Sequence, residues 1–222
     1  ASATAILHWN AIPVFADIEP ETFNIDPISV ERNITPHTKA IIAVDIFGHS
    51  CDIDALMDIA ERYNLKLITD SAQAPGTVYK GRVTGTLAHV GGYSLNYHKH
   101  IHTGEGGIIV TDDDDIFERL QLIRNHAEAV VEGKGVSNLS NMIGHNFRLG
   151  EIESAIGIEQ LKKLDSFIVS RQYVAKRLDK GLNKLQGLRT PVTKPGCTHA
   201  YYMYPLVLDV KSLGVPRSKV VE

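Results

Sequence analysis

The residues best suited to chemistry lie in one short segment, where Lys99 follows an apolar run and precedes a glycine-rich turn. A lysine acts as a nucleophile or base only if it loses its proton near neutral pH, which requires partial burial or nearby positive charge. The strand-like run at 90–95 would carry Lys99 into the interior, and the glycines after it allow the backbone to turn around a bound molecule. Taken alone, the segment is equally consistent with a solvated cluster of lysine and histidine on a loop.

A second candidate element lies about one strand upstream, where Asp70 and Gln73 follow the hydrophobic run at 65–69. In an open α/β sheet, ligands bind at the carboxyl ends of the strands. A carboxylate at this position can hold a protonated heterocyclic nitrogen, and the nearby amide can reach a neighbouring oxygen. Asp70 alone would be interpreted as a turn residue, because aspartate often has that role after a strand. The ordered combination favours a cofactor site made of Asp70, Gln73, Ser94 and Lys99.

This ordered set resembles the sugar aminotransferase family named after DegT, DnrJ, EryC1 and StrS, a branch of the fold-type I enzymes that use pyridoxal 5′-phosphate. Further matching segments follow the family's order and approximate spacing over nearly all of the chain. They are Pro13-Val-Phe-Ala-Asp-Ile, Thr38-Lys-Ala-Ile-Ile, Phe47-Gly-His, Thr103-Gly-Glu-Gly-Gly, Arg124-Asn-His and Gly144-His-Asn-Phe-Arg148. Each motif is weak alone, whereas the ordered set is specific.

The resemblance implies a role for each candidate residue. Lys99 would bond covalently to the cofactor aldehyde and then move a proton between substrate and cofactor, as base and then as acid. Asp70 would keep the pyridine nitrogen protonated, so that the ring can act as an electron sink. Gln73 would hydrogen-bond the phenolic oxygen, and Ser94 would bond the phosphate. Asn146 would reach the phosphate of the neighbouring subunit's cofactor, which makes the active unit a homodimer with shared active sites.

The family pattern also includes a dehydratase branch, in which a histidine replaces the lysine. Lys99 stands in the lysine register and favours the aminotransferase, but His98 and His100 flank it, so a shift of one residue would exchange the two branches. His102 and His126 are candidates for contacts with substrate hydroxyls or phosphate, although a solvated or structural histidine is the commoner outcome. A non-catalytic relative that binds a ligand or partner is the third interpretation.

We therefore predict an aminotransferase that transfers an amino group from glutamate to a keto-sugar, nucleotide-linked, with pyridoxal phosphate as cofactor. The formal net charge of −3 over 222 residues provides no electrostatic footprint for nucleic acid or an anionic membrane. No apolar run approaches transmembrane length, and the start of the chain has no charged leader. Cys51 and Cys197 lack the paired spacing of a zinc or redox site, and the histidines lack metal-ligand spacing, so we expect reduced thiols, a cytoplasmic location and no metal.

Apolar runs rich in β-branched residues alternate with helical patterns, which predicts an α/β fold with a mainly parallel central sheet covered by helices. The predicted strands are 13–18, 40–44, 65–69, 91–95 and 107–111. The predicted helices are 54–63, with Asp52 as its N-cap, and 116–124, where the acidic run 112–115 complements the helix dipole. Another helical pattern extends from about 150 to 185, with Gly157 and Gly181 as its expected interruptions, and a polar, glycine-bearing loop is expected at 130–143.

The resemblance also implies a domain organisation. Residues 1–150 would form the large, cofactor-binding domain of fold type I, 151–186 the bridging helices, and 187–222 the start of a smaller C-terminal α+β domain. In the family, a phosphate-binding turn and an aromatic residue that stacks on the pyridine ring precede the position of Ala1. We therefore expect this chain to be the incomplete part of a longer polypeptide, and to bind the cofactor weakly by itself.

Overall fold

A computed structural model describes residues 1–128 and 142–221 of the chain. Its strands are β1 (Ala40–Val44), β2 (Lys66–Asp70), β3 (Val78–Tyr79), β4 (Arg82–Val83), β5 (Val90–Ser94), β6 (Gly107–Val110), β7 (Leu188–Arg189) and β8 (Val207–Leu208). Its helices are α1 (Ser2–His8), α2 (Pro27–Arg32), α3 (Ile53–Arg62), α4 (Asp114–Arg124), α5 (Glu151–Leu161), α6 (Leu164–Leu182), α7 (Val210–Leu213) and α8 (Arg217–Val221). A short 3-10 turn spans Ile46–Gly48.

The central sheet has four strands in the order β1-β2-β5-β6. β1, β2 and β5 are parallel, and β6 is antiparallel to β5. The short strands form two antiparallel pairs, β3 with β4 and β7 with β8. The prediction of a mainly parallel sheet covered by helices is confirmed. No helix among residues 1–128 and 142–221 is long and apolar enough to cross a bilayer.

The helices next to the sheet begin within two residues of the predicted starts, at Ile53 and Asp114. The Asp52 side chain accepts a hydrogen bond from the Ala55 amide at the start of α3, and Asp113 caps α4 by accepting from the amides of Asp115 and Ile116. Aspartate satisfies otherwise unpaired N–H groups at a helix start and favours the positive end of the helix dipole. The acidic run at 112–115 therefore has a structural role at the start of α4.

The core lies between α3 and one face of the sheet. Side chains alternate along each strand, so every second residue points to this face. The buried residues of the core cluster on these elements are Ile41, Ala43, Leu67, Ile53, Leu56, Ile59 and Ala60. Burial of apolar surface in this layer stabilises the sheet and thereby fixes the positions of the strand ends.

The predicted strand at 13–18 is wrong. In the structure this run makes a single bridge, between Ile18 and Ile25, and it joins no strand of the sheet. The Asp17 carbonyl accepts from the Asp26 amide, so the backbone groups at the end of the run bond to the turn that follows them. Phe15 in the middle of the run is 77% exposed. Its apolar character therefore does not reflect burial in the described part of the chain.

The long helical pattern at 150–185 is two helices, α5 and α6, and the expected interruptions are in the wrong place. The break falls at residues 162–163, between the end of α5 at Leu161 and the start of α6 at Leu164. Gly157 lies inside α5, where an added Cβ would approach Thr103 Cγ2 to 3.2 Å, so it serves close packing. Gly181 lies inside the last turn of α6. The predicted loop at 130–143 falls largely outside the described residues.

Three buried histidines hold the segment after β7 against the turn after β1. The rings of His49 and His199 lie 5.6 Å apart, and His199 stacks on Tyr201 at 4.0 Å. His199 Nδ1 accepts a hydrogen bond from the Tyr201 amide at 2.9 Å, and His100 Nε2 bonds the Ala200 carbonyl at 2.9 Å. Burial is the main cause that lowers the pKa of all three histidines. This packing is therefore built from neutral imidazoles.

These histidines predict a loss of stability in mild acid. Burial lowers the pKa of His199 to about 3, whereas an unfolded histidine titrates near 6.5. The contribution to stability is therefore complete above about pH 6.5 and declines as the pH falls towards 3, by about 1.4 kcal/mol per pH unit and thus by roughly 2 kcal/mol at pH 5. His199→Asn removes the titration but retains an acceptor for the Tyr201 amide. Denaturant unfolding from pH 7.5 to 5 should show a shallower decline for this variant, and an equal decline in both proteins would contradict the assignment.

Candidate cofactor site

The polar residues of the candidate site lie at the carboxyl ends of two adjacent parallel strands. Asp70 is the last residue of β2, and Ser94 is the last residue of β5. In the parallel register Asp70 pairs with both Val44 and Gly92. Paired residues project from the same face of a sheet, and alternate residues of one strand share that face. Asp70, Gly92 and Ser94 therefore share one face, opposite the buried core face.

Asp70 is a half-buried carboxylate with hydrogen bonds to both oxygens. Oδ1 accepts from the Ala72 amide at 3.1 Å, and Oδ2 accepts from the Ser2 hydroxyl at 2.7 Å. These two bonds fix the orientation of the carboxylate. The arrangement thus presents a negative charge at the end of β2, which is the property needed to hold a protonated ring nitrogen.

Gln73 is oriented by the turn that follows β1. Its Oε1 accepts a hydrogen bond from the Phe47 amide at 2.7 Å, so the oxygen of the side-chain amide is bound within the protein. Nε2 has no hydrogen-bond partner within residues 1–128 and 142–221 and remains available as a donor. Phe47 and Gly48 both have positive φ angles, of 59° and 101°, and this conformation directs the Phe47 amide towards Gln73.

Lys99 lies in a loop that closes on itself. The Leu95 amide donates to the Gly106 carbonyl at 2.9 Å, and the Thr103 amide donates back to the Leu95 carbonyl at 3.0 Å. Gly104, at φ +88°, supplies the left-handed turn between them. Burial lowers the pKa of Lys99, and the charge of Asp70 opposes that effect. Lys99 and Asp70 are therefore close enough to interact electrostatically. The sequence indicated this proximity only because both residues belong to the ordered set of motifs.

The structure does not join the remaining candidates to this group by any hydrogen bond or ring contact among the described residues. Asn146 is exposed, and its backbone pairs with Asn125. His126 is also exposed and has a left-handed φ of 55°. His102 is half-buried, with a long contact of 3.4 Å from the Gly104 amide to its Nδ1. Their assignments to a partner's phosphate or to substrate stay predictions.

Three residues next to the site are missing from the sequence-based set. Ser2 binds Asp70, and the Tyr202 ring lies 4.7 Å from Lys99 Nζ. Both are distant from their partners in the chain, and no local pattern marks them. Asp45 ends the apolar run of β1 as Asp70 ends that of β2, so a sequence signal existed. Its amide donates to the Asp70 carbonyl at 3.0 Å.

The chemistry of this donor set fits pyridoxal phosphate. A carboxylate suits the pyridinium nitrogen, a free amide donor suits the phenolic oxygen, a hydroxyl suits the phosphate, and a half-buried amine suits the aldehyde. The Ser94 hydroxyl accepts from the Asn96 amide at 3.2 Å and keeps its own proton to donate. No cluster of three or more potential metal ligands occurs in the described part of the chain.

The family model described as the DegT/DnrJ/EryC1/StrS aminotransferase family matches residues 1–222. GDP-perosamine synthase of Caulobacter vibrioides is 35% identical over 230 residues, covering 100% of this chain and 59% of that protein. L-glutamine:2-deoxy-scyllo-inosose aminotransferase of Streptoalloteichus tenebrarius is 36% identical over 230 residues, covering 100% and 54%. The solved structure of Helicobacter pylori PseC, an aminotransferase involved in the biosynthesis of pseudoaminic acid, has 30% identity and a TM-score of 0.86, covering 99% and 58%.

The chain thus spans little more than half the length of these relatives. The aminotransferases of the family depend on pyridoxal phosphate. The comparisons confirm the predicted resemblance and the fold-type I architecture.

Gly91 and Gly92 offer a matched test of the two faces of β5. A Cβ at Gly91 would lie 1.6 Å from the Gly85 carbonyl oxygen on the core side, whereas one at Gly92 would meet only the Thr69 carbonyl oxygen at 4.0 Å. We expect Gly91→Ala to lower the free energy of unfolding by at least about 3 kcal/mol, because the clash is with backbone. Gly92→Ala should leave stability nearly unchanged and weaken binding of pyridoxal phosphate, since its methyl group shares the face of Asp70.

Denaturant unfolding and cofactor titration by fluorescence would check both variants. Equal stability of the two variants would contradict the assignment of the core face. Unchanged cofactor affinity in Gly92→Ala would contradict the assignment of the site face.

Proposed function

The chain belongs to the DegT/DnrJ/EryC1/StrS aminotransferase family, and on that premise we propose that the protein transfers an amino group from glutamate to a nucleotide-linked keto-sugar, with pyridoxal phosphate as cofactor. The observation that carries this proposal is the position of a half-buried Lys99 within electrostatic range of the Asp70 carboxylate at the end of β2. Burial lowers the pKa of the amine, and a lysine needs this to act as a nucleophile or base near neutral pH.

Three residues at or just after the strand ends would hold the cofactor. Asp70 would bind its ring nitrogen, Gln73 its phenolic oxygen through Nε2, and Ser94 its phosphate through the hydroxyl proton. When bound, the cofactor supplies an electron sink for negative charge on the substrate carbon. Asp70 maintains that capacity, because its carboxylate favours the protonated ring nitrogen.

Lys99 would carry the proton. With the cofactor bound, the neutral Lys99 amine would take a proton from the substrate carbon as a base and would give it back as an acid. One amine can do both because it takes up the proton in its neutral form and gives the proton back from its charged form. The loop closed by the bonds between Leu95, Thr103 and Gly106 limits how far the amine can move.

The substrate class is supported by the names of the relatives. The synthase of Caulobacter vibrioides is named for GDP-perosamine, a nucleotide-linked amino sugar. The aminotransferase of Streptoalloteichus tenebrarius is named for L-glutamine and an inosose. We propose glutamate as the donor, and glutamine is the alternative that a donor assay must include.

We also propose a homodimer in which Asn146 completes the partner's phosphate site. Asn146 is exposed and is flanked by exposed apolar side chains, which are Ile143 at 76%, Phe147 at 59% and Ile152 at 75%. Apolar surface of this kind is typical of a subunit interface. In a two-fold dimer each contact occurs twice, so both sites would receive an Asn146.

We propose a cytoplasmic location. Cys51 and Cys197 are both free thiols, and Cys51 is buried, where its thiol donates to the Val44 carbonyl at 3.0 Å. Free buried cysteines suit a reducing compartment.

The test of the proposed function is covalent trapping at Lys99. The protein is incubated with excess pyridoxal phosphate, reduced with borohydride, digested and examined by mass spectrometry. The cofactor mass should appear on the Lys99 peptide, and Lys99→Ala should lose both the label and amino transfer. Lys80→Ala is the matched control, because Lys80 is an exposed lysine paired with Asp54 and should have no effect. Label on Lys80, or amino transfer by Lys99→Ala, would overturn the site.

The shared site predicts complementation between inactive subunits. When Lys99→Ala and Asn146→Ala subunits are mixed, heterodimers concentrate both lesions in one site and leave the other intact, so about a quarter of wild-type activity should return in a random mixture. Lys99→Ala mixed with Asp70→Asn is the control, because each site then contains one lesion and activity should stay low. Equal recovery in both mixtures, with heterodimers shown by mass, would count against Asn146 in the partner's site.

A further inference from the structure

An aromatic ring from a distant part of the chain lies beside the Lys99 ammonium. Lys99 Nζ lies 4.7 Å from the centroid of the Tyr202 ring, within the range of a cation–π interaction. Nζ makes no hydrogen bond or ion pair in the part of the chain that the structure describes. Asp70 acts on it only at longer range, since the Asp70 oxygens accept from Ala72 and Ser2.

Tyr202 belongs to a strap, residues 199–203, whose backbone is held from two sides. His100, the residue after Lys99, donates from Nε2 to the Ala200 carbonyl at 2.9 Å. From α6, Arg171 Nη1 donates to the Tyr201 carbonyl at 3.0 Å. The strap is therefore tied to the lysine loop and to a long helix at the same point.

The strap is also pressed against the turn that orients Gln73. The Ala200 amide donates to the Gly48 carbonyl at 2.8 Å. A Cβ at Gly48 would lie 2.9 Å from the Tyr201 nitrogen and 3.0 Å from the Tyr202 nitrogen, so only glycine permits this approach. Because Phe47 in the same turn donates to Gln73, one rigid connection links Tyr202 to the cofactor-binding amide.

Two effects act in opposite directions on the Lys99 amine. Burial disfavours the ammonium, and the negative face of an aromatic ring favours it. Tyr202 is the one ring within cation–π range of Lys99 among the described residues. Its removal without loss of apolar bulk would leave burial unopposed on that side.

We propose that Tyr202 is a positioning residue for Lys99, whose ring face holds the amine in place and favours its charged form. The inference rests on the proposed function, in which Lys99 must act as both base and acid. Tyr202 makes no bond to the reacting atoms, and it acts through the orientation and proton affinity of Lys99. The ring, and not the phenolic hydroxyl, is the part that matters.

The test is the titration of Lys99 in three proteins without cofactor. Wild type, Tyr202→Phe and Tyr202→Leu are acetylated with trace anhydride from pH 6 to 11, and the Lys99 peptide is quantified by mass spectrometry. Phenylalanine retains the ring and should titrate as wild type does. Leucine retains apolar bulk without the ring face, and its midpoint should fall by about 0.5 to 1 pH unit. The fold should tolerate leucine, because Tyr202 borders a cavity of about 520 Å³ between the strap and α6.

Exposed Lys184 is the internal reference, and its reactivity should be the same in all three proteins. Equal thermal melting confirms that the variants are folded. A leucine variant that titrates as wild type does, or a phenylalanine variant that shifts as far as leucine, would overturn the proposal. Since no cofactor is present, this result is independent of borohydride trapping, so failure of the proposed function and failure of the role of Tyr202 are separable.

Discussion

The candidate site depends on a buried carboxylate that is not part of it. Asp45 is fully buried and accepts hydrogen bonds from three separate segments, through the Cys51 amide at 2.8 Å, the Ser71 hydroxyl at 2.6 Å and the Thr84 hydroxyl at 2.9 Å. Burial raises the pKa of Asp45, and these bonds oppose the increase. A buried polar group that lost such partners would be costly, so the three segments are held together. They are the loops after β1 and β2 and the β3–β4 hairpin, and the first two carry Phe47 and Gln73.

The parallel register of β2 and β5 places Asp70 and Ser94 on the same face of the sheet. The strands of the sheet could be predicted from composition, because a short run of β-branched residues between helical patterns is typical of a strand. The bounds predicted for β1 are the observed ones. The run at 13–18 is also largely apolar, but its backbone bonds to the turn that follows it. Whether such a run joins the sheet depends on the backbone groups that lie beside it in the fold, and the apolar pattern of the run does not specify these groups. The break at 162–163 was missed because glycine is a weak signal, and both Gly157 and Gly181 lie inside helices.

The residues of the candidate site could be predicted from their order along the chain. The residues that contact them from distant segments could not. Asp70, Gln73, Ser94 and Lys99 are recognisable because strand ends and a glycine turn follow in sequence. Asp45 and Asp70 carry the same local signal, an acid at the end of an apolar run, and they differ in burial, since Asp45 is fully buried and Asp70 is half-buried. Ser2 and Tyr202 reach the site through the tertiary fold. No period or spacing connects them with their partners.

The segment around Lys99 shows how one residue of register decides the chemistry. His98 is exposed and lies against the Tyr97 ring at 3.7 Å. His100 points the other way, into the protein, where Nε2 bonds Ala200 and burial lowers the pKa of the imidazole. Lys99 lies between these environments, partly buried and within the field of Asp70. Either histidine would need a different loop conformation to take its position. This arrangement supports Lys99, and neither flanking histidine, as the reactive residue of the proposed amino transfer.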